Sequence, residues 1–172
     1  MFGTGFHSAI KEGLQDFRSR YDLERYVEYK GIGGRCDIYD KYKHRLTDWK
    51  TTALQRIRKY RADGPPTASV VQGQIYAAGL QEAGERVDQI VLAYIPRDGE
   101  LSNIYCYVDT PRREVADEAI DVYRKIETRL ANGETPGDIE AWPSGLCPYC
   151  PNFQANVSAK MLDVACPGRE ET

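Results

Sequence analysis

No apolar run in this 172-residue sequence approaches the roughly 20 residues that a membrane helix needs. The N-terminal residues carry no basic stretch followed by an apolar block, so they do not read as a secretory signal. Together these absences predict a cytoplasmic protein. An excess of positive charge is missing too. The net charge is −3 and the pI is near 5.5. That excludes a protein that coats nucleic acid by bulk electrostatics. It leaves room for a local basic groove around an acidic metal site. The five cysteines are an odd number in a chain with no mark of secretion, which argues against a disulfide framework. Internal repeats and low-complexity tracts are absent.

What is present fits a globular domain. Apolar residues make up 41% and charged residues 28%, enough for one core at this length. Phe2, Phe6, Ile10, Leu14 and Phe17 recur at helical spacing, predicting an amphipathic helix over 2–19. Tyr, Val and Ile then become common, and three short strands are expected near 25–30, 34–40 and 45–50. Residues 53–60 read either as a short helical turn or as an irregular segment. Gly64-Pro65-Pro66 breaks the chain before a helix over 68–83. Two strands, 87–95 and 101–109, are expected to join at Arg97-Asp98-Gly99. Pro111 opens a long helix with Val115, Ala119, Val122, Ile126 and Leu130 as its buried stripe, stopped at Asn132-Gly133. Cys36 and Cys106 sit in apolar strand-like runs and predict core thiols. This order predicts an α/β fold around a central mixed sheet. The predicted division is a core over 1–142 and a cysteine-containing tail over 143–172 packed on it.

The second and third strands hold the chemistry. Alternation puts Asp48 and Lys50 on one face and Trp49 on the other. A hairpin symmetric about Tyr42 and Lys43 sets Asp37 opposite Asp48. Two carboxylates and one ammonium would then share a face. Paired carboxylates suit a hard divalent cation such as Mg²⁺ or Mn²⁺. Such an ion polarises a phosphate oxygen and acidifies bound water, and an adjacent lysine can orient that water. Gln72 and Tyr76 lie one turn apart on the next helix, so both can reach the same place. His44, in the predicted turn, is expected to be solvent-exposed.

Asp37 with Asp48-Trp49-Lys50 resembles the defining motif of the PD-(D/E)XK nuclease superfamily. Gly3-Thr4-Gly5-Phe6-His7 is similar to the G-T-x-x-H helix of its RecB-like branch, which includes CRISPR-associated and phage exonucleases. Gln72-Gly73-Gln74-Ile75-Tyr76 is similar to that branch's Q-x-x-x-Y helix. The resemblance covers residues 3–80 closely. It implies a restriction-endonuclease-like core and a metal-dependent DNA exonuclease, acting on single-stranded DNA or DNA with free ends. It places that enzyme in recombination, repair or spacer processing in a bacterial, archaeal or phage-infected cell. By the same resemblance, His7, Asp37, Asp48 and the Trp49 carbonyl hold the metal, Lys50 positions water, and Gln72 and Tyr76 line the site. Two alternatives share the fold: a non-catalytic DNA- or protein-binding module, and a structure-specific endonuclease or resolvase.

Two further groups remain. Cys147-Pro148-Tyr149-Cys150 and Cys166 have spacing that lets thiolates reach one metal. In the resembling exonucleases such cysteines hold an iron–sulfur cluster with a further cysteine ahead of the histidine helix. Here no cysteine precedes His7, and Cys166 lies farther along than in the family. A [4Fe-4S] cluster, a zinc ion, an upstream ligand and an apo tail therefore all stay open. Arg56, Arg58, Lys59 and Arg61 follow the third strand. They read either as guides for a nucleic-acid backbone or as a solvated helix face.

Overall fold

The computed structural model describes residues 2–135. For residues 2–4, 6 and 7 it describes the helix but not the side chains. The chain divides into two compact units, Met1–Ile120 and Asp121–Thr172.

The first unit is built on one five-stranded mixed sheet in the order β1-β2-β3-β4-β5. Helix α1 (Phe2–Gly13) leads, through a 3-10 turn at Gln15–Phe17, into β1 (Tyr21–Tyr29), β2 (Ile32–Asp40) and β3 (Arg45–Thr52). Helices α2 (Leu54–Asp63) and α3 (Thr67–Glu82) follow, then β4 (Gln89–Pro96), β5 (Tyr105–Asp109) and α4 (Arg113–Ala131). β3 and β4 run parallel and every other neighbouring pair is antiparallel. The two helices between β3 and β4 supply the crossover that a parallel pair requires. Helices flank the sheet, which is the α/β architecture expected.

Several boundaries differ from the expected ones, for physical reasons. α1 stops at Gly13, and Phe17 beyond it is 54% exposed, so the last apolar position of the predicted stripe buries nothing. Residues 53–60 resolve to the helical alternative: Ile57 is buried in α2, and Asp98 Oδ1 accepts the Leu54 N–H at 2.7 Å, capping the first turn. The β4–β5 connection is no tight turn. Asp98 is engaged by α2, and Leu101–Asn103 form a 3-10 turn, so the strand expected from 101 begins only at Tyr105. Gly64, with φ of 86°, ends α2 in a conformation that costs a glycine little.

One core lies between the sheet and its α2–α3 face. Val27, Tyr39, Leu46 and Leu92 of the sheet pack there with Ile57 of α2 and Leu80 of α3. Ala116 and Ile120 of α4 pack with Tyr29 and Ala78, so α3 is covered on two sides. That explains why α3 is buried nearly all round rather than along one stripe. The stripe expected on α4 is out of phase. Ala116 and Ile120 are its buried residues, while Val122 and Leu130 are 46% and 44% exposed. Cys36 is fully buried, as expected, and burial pushes its thiol up to about 12. Cys106 is exposed, contrary to expectation, because it faces outward on the edge strand β5. His44 is half-buried rather than exposed, with its Nδ1 shut off from solvent and its carbonyl accepting the Asp88 N–H. In the second unit, residues 121–131 complete α4. Gly133, with φ of 88°, lets the Glu134 N–H return to the Arg129 carbonyl.

Candidate active site

β3 places Asp48 and Lys50 on the face that α3 covers. The Asp48 side chain is only 6% exposed, and its Oδ2 lies 2.7 Å from Lys50 Nζ. This ion pair lacks hydrogen-bond alignment at the carboxylate, so Oδ2 is a buried oxygen without a directed donor. Lys50 Nζ also donates to Gln72 Oε1 at 2.6 Å. Gln72 Nε2 in turn donates to the Tyr76 hydroxyl at 3.1 Å. An ammonium can only donate, which fixes the amide with its oxygen toward Lys50. The run Asp48–Lys50–Gln72–Tyr76 is thus one polar chain crossing from β3 to α3.

Gly34 of β2 makes room for the end of this chain. A Cβ there would sit 2.5 Å from Tyr76 Cε1 and 2.7 Å from its hydroxyl. Sequence reasoning assigned this glycine no role in the site. A glycine inside a strand is the available signal of close approach by another group.

Asp37 sits where β2 and β3 part. Their ladder pairs Asp40 with Arg45, Tyr39 with Leu46 and Ile38 with Thr47. The next step in that register sets Asp37 opposite Asp48, as the turn symmetry predicts. There the backbone bonding gives way to a side-chain bond. Asp37 Oδ2 accepts the Trp49 N–H at 2.7 Å. The N–H and C=O of one strand residue point to the same side, so the Trp49 carbonyl also faces Asp37. The β1–β2 ladder steps over the same place, running from Leu23 with Ile38 directly to Arg25 with Cys36. Glu24 has φ of 53°. Cys36 and Tyr39 consequently join the same core cluster, although strict alternation would send residues three apart to opposite faces.

The donor chemistry here suits a hard divalent cation. Asp37 and Asp48 offer carboxylate oxygens, and one Asp48 oxygen is buried beside a cation without an aligned hydrogen bond. Among the described residues no group of three His, Cys, Asp or Glu side chains gathers to hold an ion. His7 lies on α1, which packs against β3, but its side chain is outside the description. Cys147, Cys150 and Cys166 also lie outside the described residues.

Arg56, Arg58, Lys59 and Arg61 are all exposed on α2. Arg61 is occupied: it donates to the Asn103 and Ile104 carbonyls and lies 5.9 Å from the Tyr105 ring centroid. Tyr94, on the rung beside Lys50, is buried with its ring against Tyr60 and was missed in the sequence, where it reads as one more strand aromatic.

No family model matches the sequence, and no curated protein matches it. The fold is similar to those of solved exonucleases. An alkaline exonuclease from Laribacter hongkongensis superposes with a TM-score of 0.49 at 12% identity, covering 65% of this chain and 59% of that one. A phage-related exonuclease from Haemophilus somnus 129PT does so with a TM-score of 0.41 at 14% identity, covering 64% of each chain. The chain thus spans about three fifths of the length of these structures. Among the described residues no helix is long and apolar enough to cross a membrane.

Proposed function

We propose that this chain is a metal-dependent nuclease hydrolysing phosphodiester bonds in DNA, most simply as an exonuclease on single strands. The observation that carries the reading is the polar chain from buried Asp48 through Lys50 and Gln72 to Tyr76, beside Asp37.

Asp37 and Asp48, with the Trp49 carbonyl and His7, are the residues that would hold Mg²⁺ or Mn²⁺. Bound there, the ion would supply Lewis-acid polarisation of the phosphate and a more acidic water. The chain's own residues do the rest. Lys50 donates to Gln72 and stays ion-paired with Asp48, leaving donor capacity on its ammonium for the attacking water or a phosphate oxygen. Tyr76 accepts from Gln72, so its own proton can be donated to the phosphate. In the reaction a water oxygen bonds to phosphorus and gives up a proton, the bond to the leaving nucleoside oxygen breaks, and that oxygen takes up a proton. Exposed Arg56, Arg58 and Lys59 on α2 are proposed to contact the backbone.

Lys50→Ala is expected to lower cleavage of end-labelled single-stranded DNA in Mn²⁺ by about 10²- to 10⁴-fold. A thermal melt of the same variant checks that Asp48, left buried beside an alanine, does not unfold the sheet. A folded variant that cuts at the wild-type rate would overturn the proposal.

A further inference from the structure

The structure assigns a second feature to substrate: a track for one strand of nucleic acid along the β1–β2 hairpin, leading away from Asp37. The identity of this ligand rests on the nuclease reading above. A narrow cleft between α1 and the sheet is lined by Ile10, Leu23, Asp37 and Trp49. It shares Lys11, Leu23 and Glu24 with a wider groove of about 570 Å³, which continues past Arg18, Tyr21 and Arg35. Asp37 and Trp49 of the candidate active site thus line the cleft that adjoins the groove.

The groove holds positive charge that the fold does not use. Asp22, on its wall, is compensated by Arg25 at 2.9 Å and Lys41 at 3.1 Å, and Arg25 also meets Glu85 at 2.7 Å. Among the described residues, Arg35 donates to the neutral carbonyl of Glu24 and meets no carboxylate. Among the described residues, Lys11 and Arg18 have no carboxylate partner for their side chains. Three exposed cations thus face the groove, with Glu24 as the other carboxylate of its described lining. In a chain of net charge −3 this is a local departure.

Beside Arg35 lies a flat aromatic surface. Tyr26 is the cross-strand partner of Arg35, so both project from the same face. Tyr26 is 57% exposed and belongs to neither core cluster. Its ring lies over Gly33, where any Cβ would collide with it, and its hydroxyl donates to Glu28 at 3.0 Å. An aromatic ring held in place and left in water is poised to stack. Regular negative charge and repeated flat faces occur together in a nucleic-acid strand, and only a single strand leaves its base faces open. An acidic peptide would satisfy the cations but leave the ring without a recurring partner.

The test measures binding of a fluorescein-labelled oligothymidylate by anisotropy in EDTA across a salt series. For the triple variant Lys11→Gln, Arg18→Gln, Arg35→Gln, the slope of log affinity against log salt should fall by about 2, at about 0.7 per lost phosphate contact. Tyr26→Ala should weaken binding by between about 5- and 150-fold, while Tyr26→Phe should bind as the wild type does. Unchanged affinity in both the triple variant and Tyr26→Ala, or no binding by the wild type, overturns the assignment. Hydrolysis of thymidine 5′-(p-nitrophenyl phosphate), too short to lie along the hairpin, is followed in parallel in Mn²⁺. Loss of oligonucleotide binding with unchanged ester hydrolysis supports the track. Absent hydrolysis by the wild type counts against the nuclease reading alone and leaves the binding result to stand.

Discussion

The chemistry of this site is set by a few small choices of atom. Gln72 is fixed in its orientation because it stands between an ammonium that can only donate and a hydroxyl that can do both. Gly34 is the least conspicuous member of the group, yet Tyr76 occupies the space of its missing side chain. Gly34→Ala is expected to displace the Tyr76 ring and cost about 1–3 kcal/mol of stability. On the proposed function it should also lower kcat more than it changes KM, because the residues that would surround the phosphate move while the outer groove does not. Steady-state kinetics and a denaturant melt would check both parts. At this scale the proximity of the candidates was legible in the sequence: residue type and order singled out Asp37, Asp48, Lys50, Gln72 and Tyr76, which the structure brings together. Gly34 and Tyr94 could not be singled out in this way, since their importance lies in what another element places against them.

At the scale of elements, the turn symmetry about Tyr42 and Lys43 gave the β2–β3 register correctly, because a hairpin's geometry is local. The change of phase at Asp37 was not legible. It depends on the backbone of Glu24 in the neighbouring strand, which no pattern within β2 encodes. The same holds for α4, whose buried stripe is chosen by Tyr29 and Ala78 rather than by its own strongest apolar period. His7 and the tail cysteines stay expectations of the sequence. α3 shows how close packing fixes an element. A Cβ on Gly79 would lie 3.0 Å from the Glu28 carbonyl oxygen, a backbone atom that cannot swing aside. Gly79→Ala is therefore expected to destabilise by about 1–2 kcal/mol even though alanine favours a helix interior by about 1 kcal/mol. A urea melt would test the sign, and a gain in stability would show that α3 can lift off β1 freely.

For the whole molecule, acid should act through the pin at one end of the sheet. Arg20, just before β1, binds Asp40 at the end of β2 with a 2.7 Å ion pair, and Asp40 also accepts the N–H groups of Tyr42 and Lys43. Burial alone would raise this carboxyl, but the Arg20 hydrogen bond and the two backbone donors outweigh it and hold it below the usual range. A carboxyl depressed on folding stabilises above its unfolded value and loses that contribution as pH falls through the folded one. Asp40→Asn should therefore be less stable than wild type near neutrality, and the gap should narrow as pH falls below about 3.9 and close once pH is under the folded-state value. Urea titrations at neutral and acid pH would measure it, and a gap independent of pH would refute the account.

The parallel pairing of β3 with β4 has a kinetic consequence. β1, β2 and β3 can zip by successive neighbours, but β3 gains its second partner only after two helices have been traversed. Closing so long a detour carries the largest entropic toll in the sheet and slows assembly. The strand bearing Asp48 and Lys50 is therefore expected to complete its pairing after the hairpin beside it, with its edge open to mispairing until then.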